Sequence, residues 1–508
     1  MNALISVYHK NGIEQIAAEL HQAGWTLYST GGTYKFLREN NIPAIEIAAL
    51  TQFPEILDGR VKTLHPKVFG PILAKQTPEH LEQLDIIGLQ PFSLVIVNFY
   101  PFEAAMASER NTDHAYMTEQ IDIGGPSMVR AAAKNHQHVT VITDPADYNL
   151  IASFLKNDDQ SPSLATRQQL AFKAFSYTAY YDHLIASYFQ NMVDEPYPLY
   201  KTFSGKKQME MRYGENPHQA AALYFTSPLS PLDMMKVLNG KALSYNNMLD
   251  LTAVYDITNS FRVDDHFAVI IKHQNPCGAA QSHDQTQAFC SALAGDPESA
   301  YGGIVGFNKP VSEQTAKELS KVFFEVIVAP AFTADALRIL KKKKNLRLIE
   351  WPPTDPVKQE LRQLPGGFLL QDSDLLRDRD EDWEYANGTA LTDPEKKTAL
   401  FGLRLIKYVK SNAIILVRDC TLISVGAGQM SRVDSVEIAL RKAAERTAGS
   451  ILVSDAFFPF ADSINLAHAA GIDTILEPGG SIRDEEVIQR ARELGVRLIL
   501  SGVRHFRH

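Results

Sequence analysis

The sequence predicts an α/β protein with more than one hydrophobic core, and three observations carry that prediction. Short β-rich apolar runs alternate with helical patterns from the first residues to the last, which is the signature of sheets wrapped by helices. A length of 508 residues exceeds what one ordinary core accommodates. A stretch rich in Pro, Gly and charge, "DEPYPLYKTFSGKKQMEMRYGENPHQ" at 194–219, interrupts the alternation and marks a boundary.

The elements follow in order. "ALISVY" is a strand, "NGIEQIAAELHQAG" a helix with Asn11 as the expected N-cap and Gly24 as its stop, and "WTLYS" the next strand. A helix is expected to begin near Thr33. "FSLVIVNFYPF" is a strand, "DIGGPSMVRAAAKNH" opens a helix near Gly124, "HVTVIT" is a strand, and a helical region runs to about Met192. Past the boundary the alternation restarts with "HFAVIIKH", "GGIVGFN" and "EVIVAPAF". An irregular, charged stretch at 341–395 separates these from "NAIILVRD", "TLISVGAGQ", "GSILVSDAFFPF" and "VRLILSG". The reading is therefore an N-terminal α/β domain and a larger C-terminal region of two α/β halves. No fixed-period repeat is evident, which argues against a solenoid.

Composition narrows the functional classes. Hydrophobic residues make up 45% and charged residues 21%, as in an ordinary globular protein. A formal net charge of -9 argues against nucleic-acid partners, and the basic run "KKKKNLR" at 341–347 reads as a solvated turn. No apolar stretch reaches the length of a membrane span and "MNALISVYHKNG" lacks a signal-peptide core, so no membrane association and a cytoplasmic location are expected. Cys277, Cys290 and Cys420 have no CxxC spacing and suit a reducing compartment.

Several clusters could carry chemistry. "FAVIIKHQNPCGAA" at 267–280 runs a buried strand into Lys272 and His273. A zinc deaminase would need an HxE pattern and a PCxxC, but Asn275 stands where the Glu belongs and Ala280 where the second thiolate belongs, so no catalytic metal is expected. An imidazole can instead accept a proton near neutral pH while an adjacent ammonium stabilises developing negative charge. Both can reach one site only if the strand ends and the chain turns, and Asn275-Pro276 is the expected turn. "YSTGGTYKFLR" ends a strand at Ser29 in two glycines and three hydroxyls before a helix, an arrangement suited to phosphate, although a capped glycine turn would look the same. It lacks the Walker Lys and the GxGxxG spacing. "GRVKTLHP" concentrates Arg60, Lys62 and Thr63, and "DIGGPSMVRAAAKNH" adds Asp122 and Lys134. "GAGQMS" departs from a dinucleotide fingerprint at Ser431, Phe457 and Phe458 fit a core, and Arg212 and Arg432 are plausible phosphate contacts.

Taken together, "STGGT", "GRVKTLHP", "DIGGPSMVRAAAKNH", "RYGENPHQ", "KHQNPCGAA", "VGAGQMSR" and "SDAFFPFAD" occur in the order found in the bifunctional purine-biosynthesis family of AICAR transformylase and IMP cyclohydrolase, which the chain resembles from Ser6 to the terminal "RHFRH". The resemblance implies a methylglyoxal-synthase-like cyclohydrolase domain at 1–192, a linker at 193–211, and a transformylase region at 212–508 made of two cytidine-deaminase-like halves split near 341–395. It implies formyl transfer from 10-formyltetrahydrofolate, a folate co-substrate, to AICAR, and dehydrative closure of formyl-AICAR to IMP. A homodimer with shared transformylase sites is also implied. Carried over by residue, Lys272 and His273 would be the transformylase pair. Arg212, Tyr213, Gly302, Glu325, Asn412, Arg432, Phe457, Asp462, Gly480 and Arg504 would shape its nucleotide and folate pockets. In the cyclohydrolase, Lys62, Tyr100, Asp122 and Lys134 would handle protons. Ser6, Lys10, Thr30, Gly31, Gly32, Thr33, Arg60, Thr63, Asn98 and Gly124 would bind substrate. His9, Asn11, Glu325 and Gly479 depart from residues common in the family. The competing readings are a zinc nucleotide deaminase and, for the N-terminal domain, a regulatory nucleotide-binding module.

Overall fold

In a computed structural model, described for residues 1–156, 161–226, 230–376 and 378–508, the chain divides into two compact units. One comprises Met1–Gln208 with Tyr224–Ser230, the other Met209–Leu223 with Pro231–His508.

The N-terminal unit is built on a five-stranded sheet, parallel throughout, in the order Ile45–Glu46, Thr26–Ser29, Asn2–Ser6, Phe92–Val97, Thr140–Ile142. Parallel strands must be covered on both faces, and the run Leu94, Val95, Ile96, Val97 is buried without alternation. Each such side chain contributes about 1.5–3 kcal/mol of transfer free energy. Helix Ile13–Gln22 turns Ile13, Ile16, Ala17 and Leu20 inward, the spacing of a single apolar stripe. Its N-cap is Gly12 at φ 75, with no side-chain cap, so Asn11 does not take the capping role expected of it. Gly24, at φ 81, stops the helix as expected, and the Trp25 N–H donates back to the Leu20 carbonyl at 3.0 Å. The helix after Ser29 spans Gly31–Glu39 and so starts two residues before the expected Thr33. The long helix Leu164–Val193 stacks Tyr177 on Phe99 with ring centroids 4.5 Å apart.

The C-terminal unit holds a sheet of twelve strands among the described residues. From one edge they run Lys236–Asn239, Arg347–Glu350, Val326–Ala329, Ile304–Phe307, His266–Lys272, Asn275–Ser282, then Thr421–Gly426, Ile414–Arg418, Ile451–Ser454, Thr474–Glu477, Arg497–Leu500, Glu384–Asn387. The sheet is mixed rather than parallel: each half centres on an antiparallel hairpin, flanked by parallel strands and closed by an antiparallel edge strand. The second six strands repeat the first six in reverse spatial order, and the halves meet where Ala280 pairs with Thr421. The repetition reaches side chains. Asn239 Nδ2 donates to the Leu346 carbonyl at 2.7 Å, and Asn387 Nδ2 to the Val496 carbonyl at 2.6 Å. Ser244 and Thr392 each open the following helix with a capping box.

The expected turn at Asn275-Pro276 lies two residues earlier. His273 and Gln274, at φ 50 and φ 62, form a two-residue hairpin loop, because Asn275 already pairs with Lys272. Pro276 sits in the returning strand, where a register irregularity between Pro276 and Gly278 accommodates its missing N–H.

Candidate active sites

In the N-terminal unit the strand order reverses beside Asn2–Ser6, so the crevice between its carboxyl end and that of Phe92–Val97 is the place where an open α/β sheet binds ligands. Ser6 and Asn98 stand at those two ends. Ser6 Oγ lies 2.7 Å from Thr30 Oγ1, and Asn98 Oδ1 accepts from the N–H groups of Tyr8 and His9 at 2.6 and 3.1 Å. Thr33 Oγ1 donates to the Val7 carbonyl at 2.9 Å and receives Lys10 Nζ at 3.1 Å. The N-terminal N–H groups of helix Gly31–Glu39 are thus ringed by hydroxyls and an ammonium. A Cβ on Gly31 would lie 3.6 Å from Lys62 Nζ, whereas one on Gly32 would meet nothing within 4 Å. Burial, and then the neighbouring charge of Lys62, lower the pKa of Lys10. The positive charge that Lys62 adds beside Lys10 suits the crevice to an anion.

Asp122 closes this crevice from the other side. Its Oδ1 accepts the Gly125 N–H at 2.8 Å, and its own N–H donates to Tyr181 Oη at 2.8 Å. Burial pushes its carboxyl pKa up despite the backbone hydrogen bonds and Lys62, which favour the charged form. Gly124 and Gly125 leave room for the site's own side chains: a Cβ would fall 2.5 Å from Thr63 Oγ1 and 2.4 Å from Asp122 Oδ2 respectively, so either side chain would have to shift. Lys62 also pairs with Glu55 at 3.5 Å, Arg60 pairs with Glu119, and Tyr100 stands edge-on to Tyr8 at 5.8 Å.

The second cluster lies on one edge of the twelve-stranded sheet. Lys272 ends its strand with Nζ on the Tyr301 carbonyl at 3.0 Å, and a Cβ on Gly302 would come within 3.4 Å of that nitrogen. Glu325 accepts from Asn247 Nδ2 at 2.9 Å and lies 3.7 Å from Arg347. His273 follows on the exposed turn. Neighbouring strands run antiparallel across the seam, so the same edge receives the start of Ile414–Arg418 from the other half. There Arg432, buried, reaches Asn412 Oδ1 at 2.9 Å, Ser454 Oγ at 2.9 Å and the buried carboxylate of Asp455, which also accepts from Ser411 Oγ and the Ala413 N–H. Asn275 joins the two parts: its Nδ2 donates to the His273 carbonyl and its Oδ1 accepts from the Lys410 N–H, each at 3.1 Å. Behind Phe457, the Phe458 N–H is held by Glu477, whose carboxyl pKa burial pushes up to about 8.

The chain is similar to known proteins over its whole length. A family model described as "AICARFT/IMPCHase bienzyme" matches residues 132–442, and one described as "MGS-like domain" matches residues 12–127. The whole chain aligns with 99% of the Bifunctional purine biosynthesis protein PurH of Persephonella marina at 44% identity, and with 99% of its namesake from Anoxybacillus flavithermus at 45%. The namesake from Bacillus subtilis is 43% identical over the same shares. The chain belongs to the AICARFT/IMPCHase bienzyme family.

In this bienzyme most of the residues named from sequence fall into three groups. Ser6, Lys10, Thr30, Gly31, Thr33, Lys62, Thr63, Asn98, Asp122 and Gly124 share the first crevice through the contacts above. Lys272, His273, Gly302, Glu325, Asn412 and Arg432 share the second edge. Lys134 is brought to neither: it is the exposed last residue of helix Gly124–Lys134, about 15 Å along the axis from Gly124. Arg212, Asp462, Gly480 and Arg504 are exposed, on separate segments; Arg212 lies over Tyr213 at 5.5 Å, Arg504 over Phe506 at 4.5 Å, and the Gly480 N–H is taken by Asp484 at 2.7 Å. Cys277 turns its thiol toward the Ile270 carbonyl at 3.5 Å, and burial pushes that thiol up to about 12. Among the described residues no three His, Cys, Asp or Glu side chains gather to hold a metal ion, and no helix is long and apolar enough to cross a membrane. Sequence reasoning missed Asp455, Ser411 and Tyr181. The acidic residue in "SDAFFPF" was a visible signal for the first, whereas Tyr181 reaches Asp122 from 59 positions away and left none.

Proposed function

We propose that the two edges divide the two reactions of the bienzyme between them. At the C-terminal edge His273 takes the proton from the 5-amino group of AICAR as that nitrogen attacks the formyl carbon of 10-formyltetrahydrofolate. The Lys272 ammonium stabilises the oxyanion or protonates the departing folate nitrogen. Arg432 and Asn412 hold the nucleotide, with Gly302 leaving room for the Lys272 head and Glu325 lining the pocket. Arg212, Tyr213, Phe457, Asp462, Gly480 and Arg504 complete the nucleotide and folate surfaces. The observation that carries this reading is the meeting of the Lys272–His273 turn with the Asn412–Arg432–Asp455 cluster on one sheet edge.

At the N-terminal crevice the hydroxyls of Ser6, Thr30 and Thr33, the Gly31 and Gly32 backbone, Lys10, Arg60 and Asn98 receive the ribose phosphate. The carboxamide nitrogen then closes on the formyl carbon and water leaves. Asp122, its pKa raised by burial, is suited to hand a proton on, with Lys62 and Tyr100 beside it. Lys134 enters no step of this scheme. A homodimer with transformylase sites shared between subunits, and a cytoplasmic location, belong to the same reading. The free state of all three cysteines supports the location.

The test follows each step separately. His273→Ala should abolish formyl transfer to AICAR while formyl-AICAR still cyclises at the wild-type rate. Equal loss of both activities would contradict the division into two sites.

A further inference from the structure

The loop that carries His273 is built from residues that do not favour it. A two-residue hairpin with both central residues at positive φ is the conformation that selects Asn-Gly, because Gly occupies it without steric cost, Asn, Asp and His are tolerated less well, and a residue such as Gln is disfavoured. His273 and Gln274 adopt it at φ 50 and φ 62 with neither Asn nor Gly present. Something outside the loop must hold it.

We propose that Asp250 and Asn275 are positioning residues for formyl transfer, which clamp the His273–Gln274 turn in its left-handed form and so set where the imidazole points. The inference rests on the role given to His273 above. Asp250 lies on helix Tyr245–Ser260, and its Oδ1 accepts the Gln274 N–H at 2.7 Å. From the other side Asn275 donates to the His273 carbonyl at 3.1 Å while its Oδ1 accepts from Lys410 N–H. One bond ties the turn to a helix of its own half, and the other ties it to the segment that leads to Asn412.

The internal repeat shows that this clamp is a device of the scaffold. The matching turn in the second half, Asp419 and Cys420, is also left-handed, at φ 49 and φ 51. Thr398, on the matching helix Asp393–Ile406, accepts the Cys420 N–H at 3.3 Å, and Thr421 donates to the Asp419 carbonyl at 3.4 Å. Both bonds recur from the corresponding positions, but they are longer and made by hydroxyls. In the working half the helix supplies a carboxylate, and charged acceptors make shorter and stronger hydrogen bonds. There the residue of the second bond, Asn275, also reaches the other half through its side chain, whereas the Asp419–Cys420 turn is tied across by backbone, the Gln281 N–H donating to the Cys420 carbonyl at 2.9 Å.

The experiment uses the full-length bienzyme, assayed with AICAR and 10-formyltetrahydrofolate for transfer and with formyl-AICAR for cyclisation. Asp250→Ala should lower kcat for transfer on the order of 100-fold, the scale of an ångström-sized misplacement of a catalytic group. KM for AICAR should move less, and cyclisation should be unchanged. Asn275→Ala should lower transfer in the same way. Asp250→Asn, which keeps an acceptor oxygen, should stay near wild type. The decisive variant is Asp250→Ala combined with Gln274→Gly: a residue at home in the left-handed region should recover roughly tenfold of the lost kcat. A normal kcat in Asp250→Ala overturns the clamp, and so does a double variant as slow as the single one. His273→Ala is run beside them. If it still transfers formyl groups, the assignment of His273 fails and the clamp falls with it. If it is inactive while Asp250→Ala is normal, the clamp alone is wrong.

Discussion

Arg432 and Asp455 form a buried ion pair, with side chains 5% and 0% exposed. A pair of this kind contributes little net stability over an apolar equivalent, but breaking it leaves an uncompensated charge. Arg432→Met should therefore destabilise the C-terminal unit by roughly 3–5 kcal/mol in denaturant titration. The lower end is favoured, because Ser411 and the Ala413 N–H continue to solvate Asp455. Arg432→Lys should not restore formyl transfer, since one ammonium cannot reach Asn412, Ser454 and Asp455 at once. His505 makes a second prediction. Burial pulls its imidazole pKa down, but hydrogen bonds to Asp374 and Asp378 override that effect and lift it to about 9. A group whose pKa rises on folding contributes its full stability below the unfolded value of about 6.5 and loses it as pH climbs through the folded value. The contribution is up to about 3 kcal/mol. Tm should fall between about pH 6.5 and 9 in the wild type, and His505→Gln should flatten that slope.

At the scale of elements, helix Gly124–Lys134 sets local propensity against its site. Replacing Gly by Ala near a helix start usually gains up to about 1 kcal/mol. At Gly125 the added methyl would lie 2.4 Å from Asp122 Oδ2 and 3.1 Å from Phe99, so Gly125→Ala should instead displace the carboxylate. Cyclisation should drop on the order of 10- to 100-fold with formyl transfer intact. Elements of this kind were largely legible in the sequence. The apolar stripe of Ile13, Ile16, Ala17 and Leu20, the stop at Gly24 and the helix opening at Gly124 all stand where pattern and punctuation put them. The turn at His273 was not legible. Asn275-Pro276 is the stronger local signal, and the left-handed pair beside it is held by Asp250, 24 positions upstream. Asn11 was misread for a similar reason: a residue with capping chemistry stood next to a glycine that took the position by conformation. The internal repeat was not legible as a period. "NGKALS" at 239–244 and "NGTALT" at 387–392 share a frame, but their separation lies far beyond the periods that mark short repeats.

For the whole molecule, the core of the N-terminal unit draws on residues 3–184 alone, and the main cores of the C-terminal unit on residues 248–499. Separate cores predict separate cooperative transitions. Calorimetry should resolve two, and Arg432→Met should lower only one of them. On the proposed assignment, the repeat also gives a reason for a duplicated scaffold to use one edge. The halves are related by a two-fold across the seam, so each edge of the sheet receives the end of the central strand from one half and the start of the matching strand from the other. The His273 edge combines that turn with Arg432 and Asp455. On the opposite edge the positions of Arg432 and Asp455 are taken by Gln285 and Asn308, neutral amides that spend their hydrogen bonds on nearby backbone.

The turn at Asp419 and Cys420 consequently has the backbone of its twin without the imidazole. It offers a graft point: new functional groups placed at the exposed Asp419 would sit on a loop held by Thr398 and Thr421, at the edge opposite the proposed transformylase site.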